Sequence, residues 1–353
     1  MADVSETLNI LPQNNNYLLG QQEAEALFLR AWQNNTMHHA WILSGPQGIG
    51  KATLAYKIAR FLLSAPNDDK QSVKSLNVAE NTPIFQQVAS GSCPDLMVLE
   101  RDYIETDRKK ILSAIKKGEA LSDDEMLNLR RSAFIRVDDV RKVTDFLSKT
   151  SFNDGWRVVI IDSADDMNKN AANALLKILE EPPAKTILLL ISHNTGLLLP
   201  TIRSRCAKLP LKALPENMVA SLLRRYRPQL KEQVITKLAA MSNGSIGKAI
   251  LYADYDAVKL YDKLCGLLYA KQRFSMPEML SFCSAMAGDA DQFTLLEELI
   301  GKFIKENLPV SQDAEALYQC YNNMQKMFAD CVSVNMDKRL MLLNLLTEIA
   351  KVL

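Results

Sequence analysis

The pattern of apolar and polar positions changes character twice along the chain. Up to about Leu211, short apolar runs ("AWILSG", "PDLMVLE", "WRVVIID" and "KTILLLIS") alternate with stretches of helical periodicity. Turn or polar residues bound each run, and β-branched residues are frequent in them. Runs this apolar suit strands covered on both faces, so the alternation predicts an α/β domain built on a parallel sheet. From Lys212 to about Ala253 the text is helical and basic without a strand-like run, which predicts a small helical domain. Beyond it, "LLEELIGKFIKENL", "AEALYQCYNNMQKMFADCV" and "DKRLMLLNLLTEIAKVL" carry apolar residues at helical spacing, and Pro309 separates the first two. They predict a helical bundle. The expected division is 1–211, 212–255 and 256–353.

One stretch interrupts the first domain. Residues 105–131, "ETDRKKILSAIKKGEALSDDEMLNLRR", are dense in charge of both signs. Lys109, Lys110, Lys116 and Lys117 could form a nucleic-acid patch, but mixed charge points to a solvated, partly helical surface excursion.

Composition narrows the classes further. A chain of 353 residues, 48% hydrophobic and 24% charged, is enough for two or three domains at roughly 100–200 residues each. The net charge of +1 argues against coating nucleic acid by bulk electrostatics. Arg224, Arg225 and Arg227 are the local exception, better read as a solvated helix face. The polar, acidic start "MADVSETLNILPQNNN" lacks the basic head and apolar core of a secretory signal. The longest apolar run, around "TILLLIS", is far short of the roughly 20 residues that span a bilayer, so a cytoplasmic protein is expected. Cys93, Cys206, Cys265, Cys283, Cys320 and Cys331 form no C-x-x-C pair. Neither a zinc ribbon nor a disulfide framework is expected, and no metal site is predicted.

The sharpest chemical signal is "GPQGIGKAT", Gly45 to Thr53. Gly45, Gly50 and Lys51 match G-x-x-x-x-G-K, between the strand-like "HHAWILS" and the helical "ATLAYKIARFLLS". Glycines at 45, 48 and 50 let the backbone wind so that its N–H groups converge on phosphate oxygens at the positive end of the next helix. Lys51 would neutralise the β and γ phosphates. The metal-binding hydroxyl that normally follows the lysine is replaced by Ala52. Thr53 is rotated from that position by about 100° on a helix of 3.6 residues per turn. Further on, "RVVIIDSADDM" reads as the second conserved strand of such sites, ending in Asp162 as the metal-side carboxylate. Where a water-polarising Glu would follow, Ser163 stands; Asp165 and Asp166 read mainly as surface or helix-cap residues.

The run from Asn168 to Cys206, "NKNAANALLKILEEPPAKTILLLISHNTGLLLPTIRSRC", makes the pattern specific. With its helix-plus-diproline "NALLKILEEPP" and terminal Ser204-Arg205-Cys206, it resembles the signature region of bacterial clamp-loader subunits, AAA+ proteins of the DNA polymerase III machinery. "YLLGQQEAEALFLRAW" and "IRVDDVRKVTDFLSKT" also resemble that family, so the likeness spans most of residues 16–210. It implies an AAA+ nucleotide-binding domain, a helical lid and a helical collar that joins five subunits in a ring. The implied partners are ATPase subunits and delta, with the sliding clamp and primer–template DNA reached through the complex. In such rings ATP sits at subunit junctions and the arginine of the Ser-Arg-Cys motif projects into the neighbour's site, which implies Arg205 as a finger acting in trans. Arg203 is expected to support structure.

Three departures from an active ATPase of that family agree in direction. Ala52 and Ser163 are two; the third is Gly247 in "GSIGKAI", where active subunits carry a sensor arginine. Lys248 is adjacent but faces elsewhere on a helix. Asn194, after "TILLLIS", is the candidate polar sensor, with Ser192 competing. The four-cysteine zinc module of many relatives is missing, since Cys93 is alone in its window. Two functions follow. One is a non-hydrolysing subunit that binds ATP weakly or not at all, with Mg²⁺ only if ATP binds, and contributes Arg205 to a neighbour. The other is an independent AAA+ ATPase or another P-loop enzyme. DNA polymerisation has no motif here.

Overall fold

The computed structural model describes residues 11–64, 70–117, 129–151, 155–269, 276–288, 290–311, 313–334 and 336–353. The start of the chain and the middle of the charged stretch, 118–128, lie outside the described residues. The chain divides into two compact units: Met1–Tyr226 with Asn243–Gly247, and Arg227–Ser242 with Lys248–Leu353. The region expected as a lid, 212–255, contributes to both.

The first unit is a five-stranded sheet in the order β2-β3-β4-β1-β5. The strands are β1 (Ala40–Ser44), β2 (Leu96–Leu99), β3 (Arg157–Ile161), β4 (Thr186–Ser192) and β5 (Ala207–Pro210), and every pairing is parallel. Successive strand residues point to opposite faces, and here both faces are covered. Trp41, Leu43, Val158, Ile160, Ile187, Leu189 and Ile191 therefore join one core with helices α1 (Gln22–Gln33) and α2 (Lys51–Leu63). The alternate residues Ala40, Ile42, Val159, Ile161, Leu188 and Leu190 join another with α5 (Val137–Ser148) and α6 (Lys169–Glu180). Helix α3 (Pro83–Ala89) packs on the first core.

The four apolar runs are all strands; β5 is an addition. Its "AKLP" carries a lysine and a proline, which an edge strand tolerates because one side of its backbone is unpaired. The charged stretch opens with α4 (Glu105–Lys117). Its stem is closed at both ends: Tyr103 bridges Arg131, and the buried Asp107 carboxylate accepts the Arg130 N–H at 2.8 Å. Lys109 is exposed and paired with Glu105 at 3.0 Å.

His38 and His39 lead into β1 with rings stacked 4.2 Å apart, and His39 Nε2 is hydrogen-bonded to the Leu179 carbonyl at 3.0 Å. Burial, then the neighbouring His38 charge, holds His39 below its ordinary value of 6.5, partly offset by that carbonyl. The unfolded chain therefore takes up a proton here more readily than the folded one. This contribution to stability is full above about pH 6.5 and is lost below it, as pH falls through the lower folded value. Thermal unfolding between pH 7.5 and 5.5 is expected to show a smaller fall in Tm for His39→Gln than for the parent; equal slopes would refute the assignment.

Helix α7 (Pro200–Ser204) precedes β5 and α8 (Glu216–Tyr226) follows it, and the unit also takes in Asn243–Gly247. The second unit is helical: α9 (Glu232–Met241), α10 (Ile246–Asp254, its first two residues counted with the first unit), α11 (Ala257–Tyr269), α12 (Met276–Ala287), α13 (Ala290–Asn307), α14 (Ala314–Val334) and α15 (Lys338–Val352). Its core is apolar, including Leu264, Phe282, Leu299, Phe303, Leu317 and Leu345. Glu298 of α13 receives Lys248 at 2.6 Å and the Tyr252 hydroxyl at 2.7 Å. Lys248 is thus committed to an ion pair within this unit.

Candidate functional site

The glycine loop joins β1 to α2 as the motif requires. Gly45, Gly48 and Gly50 have φ of +145°, +74° and +98°, a region that side chains rarely adopt. Close approach reinforces the requirement. A Cβ on Gly45 would lie 2.4 Å from the Leu211 carbonyl oxygen, and one on Gly48 2.3 Å from Ser245 Oγ. Gly247 donates its N–H to the Gly48 carbonyl at 2.9 Å, and a Cβ there would lie 2.9 Å from Gly48 Cα. The position expected to have lost a sensor arginine is therefore a backbone-to-backbone contact, with no room for a side chain unless the loop moves.

Lys51 is only 3% exposed, and its ammonium donates to the carbonyls of Gly45 at 2.6 Å and Pro46 at 2.5 Å. Burial draws its pKa down to about 8 against the pull of the Asp165 and Asp162 carboxylates. Thr53 is buried in α2 and Ala52 is half-buried. Ala52 offers no oxygen to a metal ion, and the Lys51 ammonium is bonded to the loop's own carbonyls.

Asp162 directly follows β3, and burial pushes its carboxyl above the ordinary value; the His193 ring opposes that rise and Glu100 adds to it. Because Leu99 pairs with Ile161, Glu100 and Asp162 follow at the ends of adjacent strands. Both line a cavity of about 620 Å³ with Tyr56 and Arg131. Burial and the two carboxylates push the Tyr56 hydroxyl up to about 12. Ser163 takes a left-handed conformation, φ +57°, and its hydroxyl is hydrogen-bonded to His193 Nε2 at 3.2 Å. Asp165 accepts the backbone N–H groups of His193 at 2.5 Å and Asn194 at 2.9 Å. It clamps the turn after β4. Asn194 is exposed and its side-chain oxygen accepts from Gly196 at 3.0 Å. The Ser192 hydroxyl is buried with no hydrogen-bond partner among the described residues.

Arg205 lies elsewhere on this unit. Asn168 caps the start of α6 by accepting the Ala171 N–H at 2.9 Å, and Pro182 and Pro183 stop the chain from continuing as helix beyond Glu180. Pro200 starts α7, whose C-cap is Arg205. The guanidinium bonds the Glu180 carboxylate at 2.9 Å and the Thr201 carbonyl at 3.1 Å, and the side chain stays 38% exposed. Next to it, burial pushes the Cys206 thiol up to about 12, which keeps it inert. Among the described residues, no group of three or more His, Cys, Asp or Glu is arranged to hold a metal ion.

Glu100, Tyr56, His193 and Glu180 were not singled out from sequence. Glu100 and His193 carry the signal that marks Asp162, a polar residue directly after an apolar strand. Glu180 is an acid ending a helix before a diproline.

A parallel sheet of this order, a glycine loop feeding a helix after β1, and an acid directly after β3 define a P-loop domain of the AAA+ type. Residues 20–215, more than half of the chain, match the family described as DNA polymerase III, delta subunit, and the chain belongs to that family. It is 37% identical over 210 residues to DNA polymerase III subunit delta' of Pseudomonas aeruginosa, covering 59% of this chain and 53% of that protein. To subunit delta' of Escherichia coli it is 29% identical over 238 residues, covering 67% and 61%. The chain thus spans little more than half the length of these curated relatives. The solved structure of a DNA polymerase III gamma subunit-related protein from Thermotoga maritima aligns with 92% of this chain and 99% of its own, at 18% identity and a TM-score of 0.48. Among the described residues, no helix is long and apolar enough to cross a membrane.

Proposed function

We propose that this chain is a non-hydrolysing clamp-loader subunit in DNA replication, which lends Arg205 in trans to the ATP site of a neighbouring ATPase subunit. The observation that carries the reading is the contrast between the two sites. Arg205 presents a half-exposed guanidinium with donors to spare at the end of a short, proline-started helix. The chain's own loop has Lys51 turned onto its carbonyls, no hydroxyl at Ala52, and Ser163 bonded to His193. The names of the relatives support the same reading, since they are subunits of DNA polymerase III.

At a subunit junction the guanidinium would meet the γ phosphate bound to the neighbour. As the phosphoryl group transfers, negative charge builds on its oxygens, and a fixed cation offsets that charge where water is excluded. Further partners on this reading are delta and the other ATPase subunits in a five-membered ring, with residues 256–353 as collar and 212–255 as lid. The sliding clamp and the primer–template DNA are reached through that ring, in the cytoplasm. Gly45, Gly48, Gly50 and Lys51 retain the shape of a phosphate cradle, with ATP or ADP bound weakly or not at all.

Purified chain is expected to turn over no ATP, and to bind ATP or ADP weakly with no gain from Mg²⁺, as read by calorimetry. ATP turnover by the chain alone that Lys51→Ala abolishes would replace this proposal with an independent ATPase. A tight Mg²⁺-dependent complex would overturn the assignment of Ala52.

A further inference from the structure

We infer that Glu180 is a positioning residue for Arg205, fixing the plane of its guanidinium so that the remaining N–H groups face outward; this rests on the reading of Arg205 as a finger in trans. The carboxylate occupies an unfavourable place. Glu180 is the last residue of α6, where the exposed carbonyls of the final turn carry partial negative charge and disfavour an acid. The Arg205 guanidinium opposite it offsets both charges at once.

The contacts divide the task. Arg205 is anchored at its backbone by an N–H donated to the Ile202 carbonyl at 3.1 Å. One terminal nitrogen donates to the Thr201 carbonyl at 3.1 Å, within the same short segment. The other bonds Glu180 at 2.9 Å, on a different helix. With the Thr201 contact alone the side chain could still swing about that bond. Two anchors on two nitrogens define its plane. A guanidinium has five N–H donors in a fixed fork, so these bonds leave others available to a phosphate.

The pair is also loose enough to work. The two side chains are 38% and 49% exposed, and such pairs are weakly held in water. Glu180 therefore sets direction without sequestering Arg205. The carboxylate would remain beside the guanidinium while phosphate oxygens take the outward donors.

The test uses the full chain in the reconstituted loader, with single-turnover ATP hydrolysis as the readout. Glu180→Ala is expected to lower the maximal rate roughly ten- to a hundredfold, the scale of a small misplacement, at unchanged half-saturating ATP. Glu180→Gln is expected to recover part of the loss, because its amide oxygen still accepts from Arg205. In an Arg205→Ala background, Glu180→Ala is expected to change nothing further. A Glu180→Ala rate equal to the parent's overturns the inference, and so does an equal loss in the Arg205→Ala background, which would mark a structural role. An Arg205→Ala loader that hydrolyses normally removes both the finger and this inference. A loader impaired by Arg205→Ala but not by Glu180→Ala removes only the latter.

Discussion

Arg205→Ala is expected, on the proposed role in trans, to slow ATP hydrolysis at a neighbour's site by about a thousandfold or more, while the isolated variant folds as the parent does. The magnitude follows from the role: arginine fingers contribute about 10³ to 10⁵ to rate because they act on charge that appears only in the transition state. The unaffected folding follows from the contacts. Arg205 makes one half-exposed ion pair and one bond to a carbonyl, and an exposed pair contributes about 0–1 kcal/mol to stability. Single-turnover hydrolysis by the reconstituted loader and thermal unfolding of the isolated chain separate the two effects. Arg205→Lys is expected to recover little, since a point charge on a flexible stem cannot reproduce a planar fork.

Gly247→Arg gives the second large effect, in an unexpected direction. It installs the residue type that the resemblance implies for active subunits, yet it is expected to leave the chain without ATP turnover and to lower its stability. The first atom of any side chain at 247 would lie 2.9 Å from Gly48 Cα, so the glycine loop and the 243–247 segment must separate to admit it. Forcing extra atoms into a close-packed contact costs about 1–3 kcal/mol. The strain would weaken the Gly247 N–H bond to the Gly48 carbonyl. Thermal unfolding and ATP turnover of the purified variant check this; a variant as stable as the parent, or one that hydrolyses ATP, would contradict it. Position 247 is thus shaped by packing, because the loop is built against the space that its glycine leaves.

What was legible in the sequence is what depends on near neighbours. The glycine loop, β3 with Asp162, and the end of α6 at the diproline are each written in one short stretch. There periodicity, capping and backbone restriction act locally. The alternation of Trp41 and Leu43 with Ala40 and Ile42 already separates the two cores. What was not legible depends on distant parts of the chain meeting. Nothing in "IDSADDM" announces that Asp165 will hold the backbone of His193 and Asn194, nor does "GSIGKAI" announce Gly48. Nor does "KIARFLL" announce that Arg60 is fully buried, donates to the carbonyls of Gln13 and Asn15, and lies over the Phe85 ring. Strand β5 was missed because an edge position, not its composition, makes it a strand.

The central claim is that the chemistry resides at Arg205 in a neighbour's site and not at Lys51 in this chain's own loop. DNA-stimulated ATP hydrolysis by the loader, reconstituted in parallel with Lys51→Ala and with Arg205→Ala, tests it most directly. The account predicts a near-parental rate for Lys51→Ala and a severe loss for Arg205→Ala; the reverse pattern would contradict it.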